Sequence, residues 1–150
     1  RILEAFPESI HWDIRVLASD ISQRVINTGR TGIYNESELK PLTDSQKTLA
    51  FDRIVSEKGE PLYQVNETLK KWVSFAQVNL IDNWRMQGPF DIILCRNVMI
   101  YFDSQTREKV INHFAQLMQA SSTLYIGHTE NINSFKHPFT PIAASIYELG

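Results

Sequence analysis

The chain has 150 residues, 43% of them hydrophobic, one cysteine and a formal net charge of -2. That is enough apolar sequence for one domain with a core of ordinary size; no stretch nears the roughly 20 consecutive apolar residues of a membrane span, and no secretory leader is visible, so a cytoplasmic protein without membrane insertion is expected. No basic block is present for binding nucleic acid through its phosphates, and the lone Cys95 excludes a disulfide framework or a paired-cysteine metal site.

In chain order, residues 1–6 read as the last turns of a helix ended by Pro7. Arg15-Val16-Leu17-Ala18-Ser19 reads as a strand leading into Asp20. A short helix is predicted to follow, with Ile21, Val25 and Thr28 on its apolar face, Asp20 or Ser22 as its cap and Gly29 as its stop. Residues 33–72 break the rhythm: a boundary at Pro41, a helix over 43–55, a turn at Lys58-Gly59-Glu60-Pro61 and a strand over 62–65. A long excursion between parallel strands is more often functional than idle. A strand over 72–79 ends in Asn79-Leu80.

The next segment is the most informative. From Phe90 an almost uninterrupted apolar run, rich in β-branched residues, reads as a central parallel strand buried on both faces. It stops at Arg96-Asn97, which places two polar side chains at the carboxyl end of a strand, where open α/β sheets bind their ligands. The plainer alternative is that Arg96 caps the strand into solvent and Asn97 shapes a turn. Cys95, within the run, reads as a small core hydrophobe. A helix over 104–119, capped by Asp103 or Ser104, carries Val110, Ile111, Phe114, Leu117 and Met118 on one face. A strand over 123–127 and β-rich sequence over 139–149 close the chain.

Three polar groups thus stand at strand ends: Asp20, Asn79 with Leu80, and Arg96 with Asn97. A carboxylate in the position of Asp20 can accept two hydrogen bonds from a ribose diol, or it can cap a helix. The glycine-rich turn that usually accompanies such a carboxylate has no counterpart upstream, since the first glycine is Gly29. His128 and Glu130 are too few ligands for a metal site, so none is expected; His11, His113 and His137 read as surface or edge positions.

Leu17-Ala18-Ser19-Asp20-Ile21, Gly32-Ile33-Tyr34 with Glu38-Leu39, Val73-Ser74-Phe75 with Asn79-Leu80, Gly88-Pro89-Phe90-Asp91, Cys95-Arg96-Asn97-Val98-Met99-Ile100-Tyr101-Phe102 and Gly127-His128-Thr129-Glu130-Asn131 together resemble the chemotaxis receptor methyltransferases of the CheR type. The resemblance runs through nearly the whole chain, and its Cys95 to Phe102 segment is highly specific. It implies a Rossmann-like α/β methyltransferase fold, mostly parallel with an antiparallel C-terminal strand and a small inserted subdomain over 33–72. It implies transfer of a methyl group from S-adenosylmethionine to receptor glutamates, giving methyl esters and S-adenosylhomocysteine. Asp20 would hold the cofactor ribose, Asn79 and Leu80 would border the adenine, and Arg96 and Asn97 would bind cofactor. Tyr101 would stand near the transferred methyl beside Arg96, unless it packs under the sheet edge.

The partners implied are the cytoplasmic helices of methyl-accepting chemotaxis receptors. In some relatives the insert also docks a receptor's C-terminal peptide by adding a strand; here residues 56–65 carry one glycine and little positive charge. Relatives begin with a helical domain and a glycine-rich strand that have no counterpart here, so residues 1–150 are expected to be a partial catalytic domain, inactive alone. Two alternatives remain at this stage: the same fold acting on another substrate, and a non-catalytic module that has lost its cofactor.

Overall fold

A computed structural model of the chain describes residues 2–82, 84 and 86–150; Arg1, where the predicted helix end begins, lies outside them. The chain divides into two compact units, Arg1–Asn79 and Leu80–Gly150.

In the first unit, helix α1 (Ile2–Ala5) gives way to a 3-10 turn, Pro7–His11, which proline can open because its missing N–H has no helical partner there. Strand β1 (Val16–Asp20) leads into α2 (Gln23–Thr31). The Ser22 hydroxyl caps α2 by accepting from the Val25 N–H, and Gly32, at φ 64°, closes it. The predicted stop at Gly29 is therefore wrong. Gly29 lies inside the helix because the Phe75 ring occupies the place a Cβ would take. The predicted face is also wrong: Ile21 and Val25 are exposed and Ile26 is the buried position. The helix starts at Gln23, and Ile26 and Gly29, three residues apart, share a face.

Strands β2 (Ile33–Tyr34), β3 (Phe51–Val55) and β4 (Pro61–Val65) form an antiparallel sheet with β4 in the middle. Between β2 and β3 lies α3 (Asp44–Ala50), opened by a reciprocal cap in which the Gln46 N–H donates to the Thr43 hydroxyl and the Thr43 N–H to the Gln46 side chain. The helix predicted over 43–55 thus ends at Ala50. Phe51 through Val55 are a strand because every one of them pairs with β4. An unanticipated helix, α4 (Glu67–Trp72), capped by Asn66, delivers the chain to β5 (Val73–Gln77), which pairs in parallel with β1, Val16 opposite Val73 and Asp20 opposite Gln77.

In the second unit β6 (Phe90–Cys95) and β7 (Met118–Ile126) run parallel, joined through α5 (Ser104–Gln116). The hairpin of β8 (Phe139–Ala143) and β9 (Ile146–Leu149) adds antiparallel strands in the order β6-β7-β9-β8. Asp103 caps α5, its carboxylate accepting from the Thr106 N–H at 2.7 Å. Val110, Ile111 and Phe114 pack with Leu124, Ile126 and Ile132 into the core of the unit. α5 ends three residues before the predicted 119: Leu117 caps it and Met118 already belongs to β7, although both side chains are buried as expected.

The expectation of a β6 buried on both faces is corrected too. Among the described residues β6 pairs with β7 alone, and successive side chains point to opposite faces. Cys95 is buried on one face, while Ile92 and Leu94 on the other are 57% and 71% exposed. Parallel strands joined by helical connections and closed by antiparallel strands make this a Rossmann-like α/β fold. Among the described residues no helix is long and apolar enough to cross a membrane.

Candidate active site

The first unit brings Asp20 and Asn79 to the carboxyl ends of neighbouring parallel strands. Asp20 ends β1, and its carbonyl accepts from the Val78 N–H just beyond β5 at 3.0 Å, so Asn79 follows at once and is half-buried. The Asp20 carboxylate is no helix cap, since Ser22 has that role. Its Oδ1 accepts from the Ser22 N–H at 2.7 Å, which fixes the side chain across the turn. Oδ2 has no hydrogen-bond partner among the described residues. Asp20 also lines a cavity of about 390 Å³ with Ser19, Arg24 and Tyr34. A half-buried carboxylate held by one oxygen and open at the other is suited to a hydroxyl-bearing ligand.

The second unit carries Arg96, Asn97 and Tyr101 on one short loop. β6 ends at Cys95, whose thiol is pushed up to about 12, first by burial and then by the charge of Glu130, so it stays protonated and belongs to the core. Arg96 is exposed, and its guanidinium has no hydrogen bond or ion pair among the described residues. Asn97 adopts the left-handed region at φ 60°. The chain then tucks Met99 into the core and turns through a 3-10 segment, Met99–Tyr101, which leaves Tyr101 81% exposed. Tyr101 therefore does not pack under the sheet edge. Leu80, half-buried, packs against the core cluster. A cavity of about 850 Å³ in this unit runs along α5 beside Trp84 and Gln105 and holds none of the predicted residues.

Sequence reasoning missed Glu130. Its carboxylate accepts from the backbone N–H groups of Val98 at 3.0 Å and Met99 at 2.8 Å through Oε1, and of Asn97 at 3.1 Å and Gly127 at 2.5 Å through Oε2. The carboxylate turns onto the backbone while His128 is exposed. Two other histidines depart from the expected surface positions. His113 is half-buried and stacks on Trp84, ring centroids 4.1 Å apart. His137 is half-buried near the rings of Phe135, Phe139 and Tyr147.

A family described as CheR methyltransferase, SAM binding domain, matches residues 1–147. A probable chemotaxis protein methyltransferase of Rhizobium etli is 34% identical over 147 residues, covering 97% of this chain and 54% of its own length. The chemotaxis protein methyltransferase of Escherichia coli is 39% identical over 136 residues, 90% of this chain and 47% of the relative. That of Borreliella burgdorferi is 39% identical over 129 residues, 85% of this chain and 44% of the relative. The chain spans about half the length of these curated relatives.

Proposed function

The chain belongs to the CheR methyltransferase family, and from that premise we propose that it is the S-adenosylmethionine-binding part of a cytoplasmic enzyme that methylates glutamate side chains of chemotaxis receptors. The observation that carries this reading is the Arg96-Asn97 loop at the tip of β6, within a family match that spans residues 1–147. When bound, S-adenosylmethionine supplies a methyl group on a sulfonium, which passes to an acceptor carboxylate oxygen as the carbon–sulfur bond breaks and S-adenosylhomocysteine is left.

The residues present fit such a ligand. Asp20 offers an oxygen to ribose hydroxyls, and Asn79 and Leu80 border the base. Arg96 supplies a guanidinium for a charge-assisted contact to the cofactor, and Asn97 adds a side-chain amide. Exposed Tyr101 orients the acceptor. A glutamate is already ionised at neutral pH, so no residue need act as a base. The chain contributes by holding the reacting groups in line, which can supply several kcal/mol of the barrier. Residues 33–72 form an inserted subdomain on this reading, and a receptor's C-terminal peptide could add to its sheet. The surfaces that meet the receptor's cytoplasmic helices belong to the whole protein.

The test is methyl transfer from labelled S-adenosylmethionine to purified receptor cytoplasmic domains by the whole protein, with the label released by mild alkali as expected of a carboxyl ester. A folded, cofactor-binding protein that leaves receptor glutamates unlabelled would overturn the assignment. Arg96→Ala is expected to weaken cofactor binding by at least about 1 kcal/mol, the scale of a charge-assisted contact. Unchanged affinity by calorimetry, with the fold intact, would remove Arg96 from the site.

A further inference from the structure

Glu130 is 9% exposed, and an acid is seldom buried to that extent without a cation beside it. Among the described residues it has no ion-pair partner. Its four hydrogen bonds all come from backbone N–H groups, two to each oxygen. An ionised carboxylate offers about four acceptor positions, so its capacity is filled. Three of the donors are consecutive, and they follow directly after Arg96. The first of them, Asn97, sits in the left-handed region, a conformation unfavourable for a residue with a Cβ. Charge-assisted hydrogen bonds offset that cost and are the strong kind.

Gly127 belongs to the same arrangement. A Cβ there would stand 2.6 Å from Glu130 Oε2 and 2.8 Å from Asn97 Oδ1, so only glycine lets the turn after β7 come this close to the turn after β6. The charge lies close enough to raise the Cys95 thiol.

We propose that Glu130 is a positioning residue for cofactor binding: its carboxylate fixes the backbone of residues 97–99 so that Arg96 and Asn97 are presented to the cofactor before it arrives. The proposal rests on the assignment of Arg96 and Asn97 to the cofactor. Glutamine would preserve the shape of Glu130 and lose its pattern, because one amide oxygen still accepts two N–H groups while the amide nitrogen faces two donors. Aspartate keeps the charge on a shorter stem and reaches fewer of the four.

The experiment compares Glu130→Gln, Glu130→Asp and Arg96→Ala in the whole protein by amide hydrogen exchange, calorimetry with S-adenosylhomocysteine, and steady-state kinetics. Glu130→Gln is expected to speed exchange at Asn97, Val98, Met99 and Gly127 about tenfold or more and to weaken S-adenosylhomocysteine about tenfold, the scale of losing strong hydrogen bonds. The KM for S-adenosylmethionine should rise in step with that loss. Glu130→Asp should fall between, and it carries the comparison should Glu130→Gln not fold. A merely structural glutamate would lower Tm and leave the cofactor affinity of the folded protein unchanged. That result, or unchanged exchange at the loop amides, overturns the proposal. If Arg96→Ala is weakened and the folded Glu130 variants are not, the positioning role alone fails; if Arg96→Ala binds as before, the assignment of the loop to the cofactor fails and the proposal with it.

Discussion

Tyr101 and Cys95 lie six residues apart, one pointing out and the other in, and each makes a distinct prediction. An exposed hydroxyl that orients an acceptor acts mainly in the transition state, so Tyr101→Phe should lower turnover of the saturated enzyme while cofactor affinity stays within about twofold. Calorimetry beside saturated kinetics checks this, and a collapse of affinity with turnover intact would contradict it. The Cys95 thiol is raised from 9.0 to about 12 in the folded chain. Its contribution to stability is thus fully present below about pH 9; above that the unfolded state releases a proton which the folded state keeps, so stability falls as pH climbs toward about 12. Cys95→Ala should flatten the decline in unfolding free energy measured by denaturant titration across that window, and an identical slope would refute it. The place of Arg96 and Asn97 directly after β6 could be read from sequence because the abrupt end of an apolar run is a local signal. Glu130 could not: its loop partners are 31 to 33 residues away, and its local context, His128-x-Glu130, points to a ligand pair instead.

The two glycines of α2 separate two physical causes. An interior helix glycine is ordinarily worse than alanine by roughly 0.5–1 kcal/mol, so Gly29→Ala would stabilise an isolated helix. Here the Phe75 ring fills the space, and the substitution should destabilise the protein. Gly32→Ala should also cost stability, by about 1–2 kcal/mol, because the left-handed cap penalises any Cβ. Thermal unfolding of the two variants decides; a gain at Gly29 would mean that the ring moves aside freely. Neither cause could be read in full from the sequence. In the sequence Gly29 reads as a stop, because the Phe75 ring that explains it lies on a strand whose pairing with β1 is non-local. The segment 51–55 likewise reads as helix because its apolar residues continue the spacing of α3, whereas five residue pairs with β4 make it a strand. What was legible needed no partner: the β1 and β6 runs, the stripe of Val110, Ile111 and Phe114 on α5 and the Thr43 boundary of α3 are carried by period, composition and capping chemistry.

At the scale of the whole chain, large apolar side chains reach solvent in both units, Val16 and Leu17 on β1 and Ile92 and Leu94 on β6, and a net charge of -2 provides little repulsion to keep copies apart. Edge strands with apolar side chains invite pairing with another chain. The 150-residue chain on its own should therefore associate with rising concentration in light scattering, and Leu94→Lys should reduce it; a monomer at all concentrations would refute this. The turn after β6 bears on which ligands the molecule admits. Three consecutive amides aimed at one hollow are what nucleotide-binding loops use to grip phosphate, and here the protein has filled the hollow with its own acid. A phosphate could reach these amides only by expelling a buried anion from four hydrogen bonds, so the grip that such a backbone turn would otherwise offer to a phosphate is already spent on the protein's own acid.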